Sequence, residues 1–174
     1  MREFFRTLIA FIVILLLLAI LTTIRPDYAA TLDREQAIVE TTKEVLEAQF
    51  SEQALIAEIG VLNFKFPHIV LAQAKLETGY FSSNIFRENN NLFGMKRPRV
   101  RPTYAVGENR GHAVFEHWQD SVKDYRLYSH LYMDFDSEWQ YYNYLARVYA
   151  EDPNYVNKVK YIIRTEGLKD LFQA

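Results

Sequence analysis

Residues Thr7 to Ile24 read TLIAFIVILLLLAILTTI, with no charged side chain among them. No other stretch restricts its own conformation so tightly. Roughly 18 apolar residues at about 1.5 Å each make a helix of about 27 Å, close to the thickness of a hydrocarbon core. Arg2 and Arg6 precede the run, which favours a cytoplasmic amino terminus; Arg25 weakens that bias without reversing it. A cleavable signal peptide is the competing reading, but it needs small residues at positions −3 and −1. Cutting after Ala30 puts Tyr28 at −3, and cutting after Ala29 puts Asp27 there. The expectation is an uncleaved signal anchor, a transmembrane helix with its linker over residues 1–30, followed by one exported domain over 31–174. The protein would then be single-pass in the cell membrane, with that domain on the periplasmic or cell-wall side.

Composition narrows the partners of such a domain. The 174 residues include no cysteine, so disulfides and thiolate metal sites are excluded. A formal net charge of −2 gives no electrostatic basis for nucleic-acid binding. The four histidines show no spacing that converges three metal ligands, so neither metal nor cofactor is expected.

The pattern from residue 31 onward is mostly helical. Thr31 and Ser51 are candidate caps. Pro67 suits the first turn of a helix whose stripe is Ile69, Gln73 and Glu77. Ser82 to Phe86 reads as one further helical turn. The segment 95–118 breaks this periodicity with KRPRVRP. Thr103–Val106 and His112–Phe115 then read as two strands of an antiparallel hairpin around Gly107–Gly111. Helices resume at Asp120 or Ser121, at Asp136 or Ser137, and at Asp152–Pro153; Gly167 closes the last. The fold class is mainly α, or α+β, with one small β lobe.

Glu77 is the residue that points to chemistry. It stands almost at the end of an apolar-striped helix that Thr78-Gly79 interrupts, and an asparagine-rich loop leads from there to Leu92-Phe93-Gly94. A carboxylic acid on rigid backbone beside a polar, aromatic cleft is a candidate general acid of the kind that cleaves glycosidic bonds. The plain alternative is a solvated glutamate near a helix end. Tyr80, Asn90, Asn91 and Phe93 are candidates to contact a sugar, although asparagines also cap turns and Phe93 also suits a core. Lys96, Arg97, Arg99 and Arg101 are either solvated loop charge or a site for substrate carboxylates.

Three ordered motifs carry a resemblance. Gln73-Ala74-Lys75-Leu76-Glu77-Thr78-Gly79-Tyr80, then Asn90-Asn91-Leu92-Phe93-Gly94-Met95-Lys96, then Tyr149-Ala150-Glu151-Asp152-Pro153-Asn154-Tyr155 resemble the family 73 glycoside hydrolases. These include the hydrolase domain of the flagellar rod-cap protein and several autolysins, and the membrane-associated branch looks nearest. The resemblance covers about residues 35–170. It implies a lysozyme-like helical domain with a small β lobe. It also implies hydrolysis of the β-1,4 bond between N-acetylglucosamine and N-acetylmuramic acid in peptidoglycan strands. By the same resemblance Glu77 matches the general acid and Tyr149 an active-site tyrosine. Lytic transglycosylases or muramidases of the same fold, and a catalytically inactive wall-binding module, are the alternatives. The second acid departs from the family pattern, because Thr103 and Tyr104 stand where it would fall. Glu108 in the hairpin is the candidate to activate water. Otherwise the substrate's own 2-acetamido oxygen attacks and a single enzyme acid suffices.

Overall fold

In the computed structural model, residues 12–15, 30–40 and 49–173 are described. The chain divides into two compact units, Met1–Gln49 and Phe50–Ala174. Residues 12–15 and 30–40 are helical. The helix expected at the front of the exported domain therefore falls in the first unit, and the second begins at Phe50. Among the described residues no helix is long and apolar enough to cross a membrane. Apart from residues 12–15, the Thr7–Ile24 run expected to do so lies outside the described residues.

The second unit is helical with one two-stranded sheet, the α+β class expected. Its helices are α1 (Glu52–Val61), α2 (Pro67–Glu77), α3 (Asn84–Asn89), α4 (Trp118–Tyr132), α5 (Glu138–Tyr144) and α6 (Tyr155–Thr165). Strands β1 (Gly107–Asn109) and β2 (His112–Val114) lie between α3 and α4. A π-helical turn, Leu145–Tyr149, continues α5, and Asp170–Phe172 forms a final 3-10 turn.

Local chemistry sets these boundaries. Ser51, Ser83 and Ser137 each accept a hydrogen bond from the backbone N–H three residues on, at Ala54, Phe86 and Gln140, filling an orphan donor of the first turn. Pro67 opens α2, where its missing N–H costs nothing. Two starts differ from expectation. α4 begins at Trp118, ahead of Asp120, because the Asp120 carboxylate reaches back to accept from the His117 N–H. α6 begins at Tyr155, because Asp152 spends one oxygen on the Asn154 N–H and the other on Lys158. The hairpin is tighter than expected: its loop is Arg110-Gly111 alone, both with positive φ, and Asn109 pairs with His112. Of Thr103–Val106, only Val106 joins the ladder region, donating to the Val114 carbonyl.

α2 is the centre of the core. Ile69, Val70, Leu71, Ala72 and Ala74 are fully buried, and α2 packs against α1 and α6. Lys75 is also buried. Its ammonium binds Glu52 of α1 at 2.6 Å and Glu166 beyond α6 at 2.5 Å. Burial opposes that charge, but the two carboxylates outweigh it and raise the lysine's pKa. The central helix is thus clamped on both sides immediately before it reaches Glu77.

Candidate active site

Glu77 is the last residue of α2 and lines a cleft of about 970 Å³. The facing surfaces come from Gly94–Lys96 and Pro98–Arg101, from His112 on β2, from Tyr128 and Tyr132 on α4, and from Arg147–Asp152. Burial pushes the Glu77 carboxyl above the usual range; a hydrogen bond from Tyr155 and the nearby His112 pull partly against it. The result is a carboxylic acid that keeps its proton to higher pH than an ordinary glutamate.

A buried polar chain aims this acid. Tyr155 Oη donates to Glu77 Oε1 at 2.6 Å. Gln73, one turn back on α2 and fully buried, donates from Nε2 to Tyr155 Oη at 3.3 Å. Gln73 Oε1 accepts from Tyr125 and Tyr141, each at 2.9 Å. The tyrosine hydroxyl already accepts from Gln73, so its own proton is directed to Glu77. With Oε1 taken by Tyr155, Oε2 is the oxygen left open for a proton. Gly94 makes room there: a Cβ at that position would lie 3.2 Å from Oε2, and its φ of +61° suits only glycine well.

The other expected site residues divide. Tyr149 lines the cleft, but its hydroxyl donates to the Phe93 carbonyl at 2.7 Å. The tyrosine in contact with Glu77 is Tyr155, six positions later in the same motif. Phe93 forms part of the lining, but its ring is 2% exposed and stacks on Tyr125 with centroids 4.2 Å apart. Asn91 is spent on structure: its amide nitrogen donates to the Met95 and Ala113 carbonyls, and its oxygen accepts from the Phe93 and Met95 N–H groups. Asn90 takes the left-handed cap of α3 and donates to the Phe115 and Glu116 carbonyls. Neither asparagine lines the cleft. Tyr80 is 56% exposed and faces a separate groove with Leu76, Asn157 and Tyr161.

Glu108 does not reach the cleft. Cross-strand partners share a face of a hairpin, so Glu108 goes with Ala113, while His112 goes with Asn109. Ala113 is buried against Ala105 and Phe115, and His112 is the hairpin residue that lines the cleft. Its Nδ1 lies 2.9 Å from the Arg110 carbonyl, which places a proton on Nδ1 and fixes the ring. Besides Glu77, the acids in the lining are Glu151 and Asp152, from the loop leading into α6. Among the described residues no group of histidines and acids is placed to hold a metal ion.

Tyr155 and His112 were readable as types but not as roles. Tyr155 opens the apolar stripe Tyr155, Val159, Ile162 of α6, which reads as core; only the packing of α6 on α2 brings its hydroxyl to Glu77.

Protein bax of Escherichia coli (strain K12) is 40% identical over 57 residues, which is 33% of this chain and 21% of that protein, so the match spans about a fifth of the relative's length. No solved structure matches. A glucosaminidase family model, described as mannosyl-glycoprotein endo-beta-N-acetylglucosaminidase, matches residues 57–168, from α1 to the end of the core. That stretch exceeds half of the chain and contains every element of the cleft, and the chain belongs to this glucosaminidase family, the family 73 glycoside hydrolases.

Proposed function

We propose that this protein hydrolyses the β-1,4 bond between N-acetylglucosamine and N-acetylmuramic acid in peptidoglycan, with Glu77 as the acid. The observation that carries the reading is the Gln73–Tyr155–Glu77 chain at the cleft, which leaves one oxygen of a desolvated carboxyl, its pKa raised by burial, free for a glycosidic oxygen. No carboxylate of the hairpin lines the cleft, which favours the mechanism needing one enzyme acid. Glu77 Oε2 protonates the leaving oxygen while the substrate's 2-acetamido oxygen attacks C1. The leaving sugar departs as an alcohol and a cyclic oxazolinium forms. The Glu77 carboxylate then takes a proton from water as that water attacks C1, so the proton is restored and the configuration is retained. Desolvation suits both roles, because it brings the acid's pKa nearer the working pH.

Digestion of sacculi with the full chain, followed by mass spectrometry, tests this. Reducing N-acetylglucosamine ends are expected; anhydro-muramyl ends would assign the cleft to a lytic transglycosylase. Retention at C1, read by proton NMR, is expected; inversion would shift the base role to a carboxylate such as Glu151. The uncharged Thr7–Ile24 run supports a membrane-anchored protein whose cleft faces the wall. Recovery of the full-length chain in the membrane fraction is the expected outcome, and a shorter soluble form would replace the anchor with a cleaved signal.

A further inference from the structure

The cleft carries an excess of positive charge that protonating a glycosidic oxygen does not require. Lys96, Arg99, Arg101 and Arg147 all line it, in a chain whose formal net charge is −2. Arg101 is neutralised: its guanidinium forks onto Asp124 at 2.6 and 3.1 Å, and Asp124 is fully buried. Asp124 also accepts from the Thr103 hydroxyl at 2.6 Å and the Tyr104 N–H at 3.0 Å, which fixes the irregular segment after Met95 to α4. Asp152 is paired with Lys158, and Glu77 is hydrogen-bonded to Tyr155. Three cations, Lys96, Arg99 and Arg147, therefore stand without a carboxylate partner among the described residues, against one unpaired carboxylate, Glu151. Beside them the apolar surface is left bare, with Val100 93% exposed and Val148 64% exposed. Each valine is the chain neighbour of one of the arginines.

We infer that this wall is a subsite for the peptide stem of the glycan strand, deepening the proposed function from a bare aminosugar polymer to a peptide-bearing one. With the muramyl lactyl carboxyl tied up in its amide to the stem, the sugars themselves offer no charge to unpaired cations. A stem peptide offers carboxylates and alanine methyl groups in alternation, which is the chemistry that paired arginines and valines recognise. Arg99 comes from the segment held by Asp124, and Arg147 from the π-helical turn after α5, so a stem lying on them is gripped from two elements. The fixed Arg101 acts as the anchor of the subsite and does not contact the ligand.

The full chain is assayed on intact sacculi and on the same sacculi stripped of stems by an amidase. The parent is expected to prefer intact material. In an Arg99→Gln/Arg147→Gln double variant the ratio of intact to stripped rates is expected to fall about tenfold, the loss of two charge-assisted contacts. Arg97→Gln removes a neighbouring cation that does not line the cleft and should leave the ratio unmoved. An unchanged ratio in the double variant, or an equal drop for Arg97→Gln, overturns the inference. Binding to Glu77→Gln protein, followed by calorimetry with a soluble muramyl tripeptide and with its amidated form, reads the subsite without turnover. Tighter binding of the acidic form that the double variant abolishes supports the subsite, and equal binding overturns it. A parent that cleaves neither material while binding the acidic peptide would sink the glycosidase reading and leave the subsite standing.

Discussion

The two sides of the cleft are built in opposite ways. The α2 side holds Glu77 at the end of a helix whose neighbours from Ile69 to Ala74 are fully buried, and a buried amide with three tyrosine hydroxyls orients the acid. The facing side has two three-residue strands, a core of Ala105, Ala113 and Phe115, and an irregular run tied down by one buried ion pair. General acid catalysis needs the proton donor fixed in position and electrostatics, whereas a surface that receives a polymer needs only complementary charge and shape. Rigidity is concentrated around the proposed proton donor.

Removing the acid breaks that contrast most directly. Glu77→Gln should lower the rate by about a thousandfold or more, the upper range for losing a general acid, as measured by release of soluble fragments from sacculi. Stability moves the other way. The folded pKa of Glu77 lies above the unfolded value, so its favourable contribution is complete in acid and is lost as pH rises through the folded pKa. Glutamine never ionises, so the variant should gain about 1 kcal/mol near neutrality, within the usual range for relieving a strained active site. Thermal melts should show that gain shrinking to nothing in acid. A variant less stable than the parent at pH 7 would mean that Glu77 is not held in a desolvated site.

Tyr155→Phe tests the aim of the acid. The lost hydrogen bond had been lowering the Glu77 pKa, so the pKa rises further and the alkaline limb of the pH–rate profile moves to higher pH. The rate at the optimum should fall about 10- to 100-fold, because the carboxyl loses its fixed rotamer. Loss of rate with an unmoved limb would make Tyr155 a packing residue only. Asp124→Ala disturbs the other wall. It leaves the Arg101 charge and two polar groups without their acceptor, at a cost of about 3 kcal/mol. It should reduce the rate only about fivefold, since the loop positions substrate and no proton passes through it; steady-state rates at a temperature well below the variant's melting point would show this.

The same contrast separates what was legible in the sequence from what was not. Ser51, Pro67, Ser137 and Gly167 mark helix ends through their own backbone chemistry, and the Ile69–Gln73–Glu77 spacing alone placed the acid at a helix end on one stripe. The partners of Glu77 come from 78 and 35 positions further on, at Tyr155 and His112, and depend on how α6 and the hairpin pack, which periodicity does not encode. Asn90 and Asn91 drew attention as sugar ligands for the same reason that they serve the turn: short amides satisfy backbone groups wherever a left-handed residue or a tight loop leaves them orphaned. The hairpin was readable as a turn flanked by strands, but its register was not. In a ladder of three pairs, one residue of slip exchanges which side chains face the cleft.

That register gives the smallest predicted effect and the sharpest reading of the facing wall. If Gly107 pairs with Val114, then Glu108 lies opposite Ala113 and projects away from the cleft. Glu108→Gln should then change the rate by less than about twofold, as for a surface substitution with no partner to lose. A shift of one residue would instead send Glu108 to the His112 face, and the same substitution would then remove the only hairpin carboxylate able to activate water. A loss of about a hundredfold would establish that register together with a two-acid mechanism. His112→Gln sharpens the outcome. In the observed register it removes the positive partner that lowers the Glu77 pKa, so the alkaline limb should move slightly upward with little change at the optimum. An alkaline limb that stays where it is would mean that the imidazole does not face Glu77.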